Sequence, residues 1–159
     1  MGASVLRLSV LVRHITIPTW LSFFLGHLRH QSFIMPRDDK WYESLISIPT
    51  SKEARQWFQT CRKSGIAMVT LGKMDSTEES LALVEEGYAA GAARVTAVEV
   101  EDYPDIPGGM QTTSRLVVTL PDNPAQRAKT LSWTGKVAEE QGFDPETDIG
   151  QRYVFIFFD

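Results

Sequence analysis

Residues 94–120 read RVTAVEVEDYPDIPGGMQTTSRLVVTL, and the fold turns on how this stretch is divided. Two valine-rich runs, 94–101 and 114–120, flank a polar segment containing Pro104, Pro107, Gly108 and Gly109. β-Branched residues suit the pleated surface of a strand, and prolines beside paired glycines mark a turn, so the stretch predicts a wide β-hairpin. Working outward, Asn123-Pro124 supplies a cap and a proline at the first helical position, which predicts a helix over 124–141 that stops at Gly142. A last strand, 152–158, closes the chain.

Upstream of the hairpin, 66–71 reads as a short apolar strand. Ser76-Thr77-Glu78-Glu79 has the spacing at which a serine and a glutamate satisfy the free backbone donors of a helix start, and predicts a helix to about Ala90. In 51–64, Ala54, Trp57, Phe58 and Cys61 recur at helical spacing, with Arg62 and Lys63 in the last turn and Gly65 beyond. Residues 41–48 read as extended, ended by Pro49. The resulting order, βα followed by βαββαβ, contains the split βαβ pattern of ferredoxin-like folds. The expected fold class is therefore α+β: a ferredoxin-like sandwich preceded by an extra β-α unit. Its three helices lie on one face of a mostly antiparallel sheet, with the N-terminal strand beside the C-terminal one.

Charge separates the chain into two parts. Residues 1–34 carry three arginines, all three histidines and no acid, whereas 35–159 carry thirteen Lys or Arg against all twenty acids. The leader is expected to be a mis-assigned start ahead of Met35, or a targeting or disordered segment. Its best apolar run, 15–28, is too short to span a bilayer and contains Pro18. The body, 35–159, is one domain. It holds no histidine and one cysteine, Cys61, which excludes a Ser-His-Asp or Cys-His pair, a histidine metal cluster and a four-cysteine zinc site. Cys61, on an apolar stripe, reads as a buried inert thiol, and Trp57 and Trp133 as packing groups.

The expected topology gathers three loops, 72–75, 102–113 and 142–151, at one end of the sheet. The ligand-binding candidates are accordingly Lys73, Asp75, Asp102, Tyr103, Asp105, Gln111, Thr112, Thr113 and Asp144. Loops also collect such residues because they are solvated. Residues 144–150 lack the spacing of a calcium loop, and no metal site is expected. In the last strand Tyr153, Phe155 and Phe157 face one way and Val154, Ile156 and Phe158 the other, so one apolar row needs a cover. A second subunit is the simplest one, with Tyr153, Phe155 and Phe157 as the interface candidates; a ligand cleft between sheet and loops is another, and the alternative to both is that the segment around Trp41-Tyr42 or the leader folds over the row.

The leading functional expectation is a soluble, cytoplasmic, non-catalytic binding or regulatory protein, homodimeric, with a protein or small-molecule partner. One alternative is a histidine-free, carboxylate-dependent enzyme, with Asp102 or Asp105 as base, Lys73 as electrostatic stabiliser and Tyr103 as proton donor. Another is an acidic inhibitor that docks on a basic nucleic-acid-binding partner. A body near −7 repels phosphate, which argues against direct nucleic-acid binding. No dinucleotide, P-loop or nucleophile-elbow motif is present, so the cofactor is left unassigned.

Overall fold

In the computed structural model, which describes residues 38–158, the chain runs α1 (Asp39–Ile46), β1 (Lys52–Glu53), α2 (Ala54–Ser64), β2 (Met68–Leu71), α3 (Thr77–Ala89), β3 (Arg94–Ala97), β4 (Glu101–Tyr103), β5 (Met110–Thr113), β6 (Arg115–Thr119), α4 (Pro124–Glu140) and β7 (Tyr153–Phe157). The expectations about the leader lie outside the described residues. No described helix is long and apolar enough to cross a membrane.

The hairpin exists and is longer than its valines indicate. Its root pairs Arg94 with Thr119 and Ala97 with Leu116; its tip pairs Glu101 with Thr112 and Tyr103 with Met110. The two registers are continuous, with three residues omitted from each strand, so β3–β4 and β5–β6 form one antiparallel ribbon interrupted halfway. At the interruption Glu99 adopts a left-handed backbone (φ 53°) and its carboxylate pairs with Arg115. The Thr113 hydroxyl donates to Val98 O at 2.5 Å and accepts from Arg115 N at 3.1 Å, replacing ladder bonds that the break removes. Half of the segment expected as loop is thus strand, and only residues 104–109 turn.

The sheet is α+β with antiparallel ladders, but its order differs from the ferredoxin-like one. In that fold the strand 68–71 would lie between the last strand and the hairpin. Instead β7 pairs directly with β6 at the root, and β2 pairs in parallel with β5 at the tip, giving the orders β1-β3-β6-β7 and β2-β5-β4. Both outer strands follow the same edge of the ribbon and stop where it breaks: Gly72 N donates to Thr113 O and Phe158 N to Ser114 O, both at 2.8 Å. A Cβ on Gly72 would lie 2.5 Å from the Phe158 Cβ, so that junction requires glycine.

Helices α2, α3 and α4 bury their apolar faces together against one side of the sheet, around Trp57, Phe58, Val84, Trp133 and Val137, with Val95, Leu116, Val118 and Ile156 beneath. Glycines permit the close approaches: a Cβ at Gly87 would lie 2.6 Å from the Trp133 ring, and one at Gly135 would lie 3.2 Å from Pro145. Gly135 therefore makes room for the loop after α4.

The segment 41–48, expected as extended, is helical to Ile46 and turns after it. Asp38 caps it, accepting from Trp41 N at 3.0 Å, and Trp41, Tyr42, Leu45 and Ile46 form its apolar side. This helix covers the second face of the root. Tyr42 packs on Tyr153 with ring centroids 5.7 Å apart, and Trp41 on Phe155 at 5.4 Å, over Val98 and Val117. Phe143 meets Phe157 edge-on at 6.0 Å. Tyr153 is buried and Phe155 and Phe157 are half-buried, so the row expected to need a second subunit receives a cover from its own chain. The extra N-terminal strand is β1, two residues long, and it pairs with β3. It displaces the expected start of α2, which Glu53 caps by accepting from Arg55 N and Gln56 N.

Removing the Tyr42 ring should leave a cavity over Val117 and Tyr153. Tyr42→Ala is expected to lower the urea-unfolding free energy by about 3 kcal/mol, the usual result of truncating a buried aromatic. A loss below about 1 kcal/mol would show that α1 does not hold this face.

Candidate functional site

The structure distributes the sequence-predicted residues over several places. Gln111 and Asp102 are cross-strand partners at the ribbon tip, on the side facing α2. The Gln111 Oε1 accepts from Trp57 Nε1 at 2.7 Å, Cys61 Sγ at 3.2 Å and Lys52 Nζ at 3.4 Å, which ties α2 and β1 to β5. These residues border a shallow cleft of about 400 Å³ that also includes Arg94. Thr112 donates to Thr70 O across the β2–β5 ladder, and Thr113 is the buried plug at the ribbon break. Tyr103 and Asp105 are exposed at the tip, with the Tyr103 hydroxyl donating to Glu101. Lys73 and Asp144 are exposed, after β2 and after α4 respectively.

Asp75 is the one candidate that lines a groove of about 700 Å³ between α2 and α3. Its floor is Phe58 from α2, Ile66 and Val69 around the start of β2, and Leu81 from α3. One end is closed by Arg55, which bonds both carboxylate oxygens of Glu85 and stacks 3.9 Å over the Tyr88 ring. At the other end stand Arg62, Asp75 and Glu78. The helix start beside them is capped and tied to its surroundings: Ser76 Oγ accepts from Glu79 N, Glu79 accepts from Asp75 N, and Thr77 Oγ1 accepts from Val69 N at 2.9 Å. With Glu79 N capped and two glutamates in its first turn, this helix end does not favour an anion. The sequence showed α3's cap but not the groove, because the apolar floor combines residues from three elements that periodicity treats separately.

The perturbed titrating groups are all held in their resting charge states. Burial and the bond to Glu53 push the Tyr88 hydroxyl up to about 12. Burial pushes the Cys61 thiol up, against the opposing effect of Lys52, so this lone cysteine stays protonated and inert. The bond from Arg55 lowers Glu85. The Arg127 guanidinium, bonded to both oxygens, together with Gly150 N–H, lowers Asp148 to about 2. Asp148 is thus engaged by an arginine that also donates to Gln151 O, pinning the loop before β7 onto α4. Among the described residues no three His, Cys, Asp or Glu side chains cluster as metal ligands.

No family model matches the chain, and neither a curated protein nor a solved structure matches it.

The Asp148 contact carries a pH signature. Its folded value lies below the ordinary 3.8, so its contribution to stability is complete above that value and is lost as pH falls toward 2. Asp148→Asn is expected to remove this part of the acid limb: thermal melts from pH 5 to 2 should fall less steeply than in the wild type. Parallel curves would show that the loop is not pinned by this pair.

Proposed function

We propose that the domain is a non-catalytic binding protein whose ligand occupies the groove between α2 and α3. The observation that carries this reading is an apolar-floored cavity of about 700 Å³ with charged groups at both ends. That volume lies within the range of small-molecule sites, and apolar lining with a few placed polar groups is their usual chemistry. The resting charge states of Tyr88, Cys61 and Asp148 support binding over acid–base catalysis, which needs a group poised near the working pH. The Arg55–Glu85 pair is internally neutral, so the free balance of the groove is set by Arg62 against Asp75 and Glu78. That balance favours a ligand with an apolar body and a cationic head.

The test is amide-shift mapping of the isotope-labelled full chain during titration with 2-phenylethylammonium and, separately, phenylacetate. The cation is expected to bind at about millimolar strength, as its small size implies, and to shift residues 66–69 and 75–81. Glu78→Gln should weaken it severalfold while phenylacetate leaves those amides unmoved. Equal responses to both probes, or shifts confined to other elements, would overturn the reading.

A further inference from the structure

The ribbon tip has one covered face and one open face. Gln111 points to α2, where it meets Trp57 and Cys61, so its neighbours on β5, Met110 and Thr112, point the opposite way. Met110 pairs with Met68 on one side and with Tyr103 on the other, which places the three side chains in a single row across β2, β5 and β4. Helix α1, which covers the root, packs on Val98, Val117, Tyr153 and Phe155. At the tip Met68 is 38% exposed, Tyr103 41%, and Ile106, in the turn just beyond, 40%. Of the four large hydrophobic residues exposed among the described residues, three lie here.

Two further features belong to the same place. β4 is the outer strand of its sheet, so alternate backbone groups of residues 101–103 point away from β5 with no strand beside them among the described residues. Residues 101–106, EDYPDI, carry three acids and no base, and all six are exposed.

We propose that this tip docks a basic, extended segment of a partner protein, which adds as a strand to β4, sets its apolar side chains on the Met68–Met110–Tyr103 row and places lysines or arginines, on its other face, against Asp102 and, beyond the strand, Asp105. Unpaired edge groups select an extended chain rather than a helix, since only an extended chain offers them a ladder. The acids select its charge. Edge-to-edge pairing of two copies would bring the acids of each β4 against those of the other, and like charges across a ladder destabilise it. Phosphate-bearing partners are repelled by the same acids. Methionines suit such a surface because their flexible, polarisable side chains conform to differing partners. This proposal is independent of a ligand in the groove.

The experiment is amide-shift mapping on the full chain with a blocked nonapeptide alternating lysine and valine, beside a control alternating glutamate and valine. Saturable shifts are expected at residues 101–106 and 110–112 with the basic peptide and none with the acidic one. The double variant Asp102→Lys with Tyr103→Ala should weaken binding at least tenfold. Both side chains are exposed, and an otherwise unchanged spectrum shows that the variant is folded. The absence of saturable shifts, equal binding of both peptides, or shifts at residues 75–81 alone would overturn the proposal; the last outcome would assign the peptide to the groove. Shifts at 101–106 that appear on raising the protein concentration alone would overturn it in favour of a second copy.

Discussion

The break in the long hairpin at Glu99 and Ser114 is the constraint on which the rest of the structure depends. A regular ribbon of this length would carry one hydrophobic pattern from root to tip and accept one set of neighbours along its whole edge. Here the break preserves the register and ends both outer strands at the same point, so that β7 completes the root and β2 completes the tip. A left-handed glutamate costs about 1–2 kcal/mol, and three local interactions offset it: the Glu99–Arg115 pair, the bond from Glu99 N to Ser51 Oγ, and the Thr113 hydroxyl in the ladder. Strain of this size persists only where its surroundings fix it.

Once the ribbon is divided, its halves receive different environments. The root lies between α1 on one side and α2, α3 and α4 on the other, and its strands are buried on both faces. The tip is covered on the α2 side alone. That asymmetry explains why three of the four large hydrophobic residues exposed among the described residues lie at the tip, while the longer aromatic row of β7 is covered by α1 and Phe143. It also distinguishes two candidate surfaces that meet at Met68: a groove between helices, whose floor is part of the core, and a sheet face that the core does not reach.

Much of this was legible in the sequence. The caps at Ser76 and Asn123, the stripe Ala54-Trp57-Phe58-Cys61, Gly65 at the end of α2 and the valine runs act locally and read correctly. Helix α1 is ambiguous in sequence because Trp41, Tyr42 and Ile46 also suit a strand; its one helical signal is Asp38, three residues before Trp41, in the capping position. The short strands β4 and β5 carry no strand signal of their own: they are polar and flank Pro104, Pro107, Gly108 and Gly109, which mark the whole segment as loop although those four occupy only the turn. The ferredoxin-like order failed for a different reason: pairing partners are decided by where the ribbon breaks, and a glutamate in a left-handed conformation has no sequence signature. Of the candidate site residues, Asp75 lines the groove and Asp102, Tyr103 and Asp105 lie at the tip, whereas Gln111 and Thr113 act within the framework.

Amide hydrogen exchange of the full chain, resolved by residue, tests the division of the ribbon most directly. The expected result is global-level protection at Leu116, Val117 and Val118, with exchange at Glu101 to Tyr103 faster by orders of magnitude, since only the root lies between two layers. Protection at 101–103 equal to that at 116–118 would contradict the account, because the tip would then be as enclosed as the root.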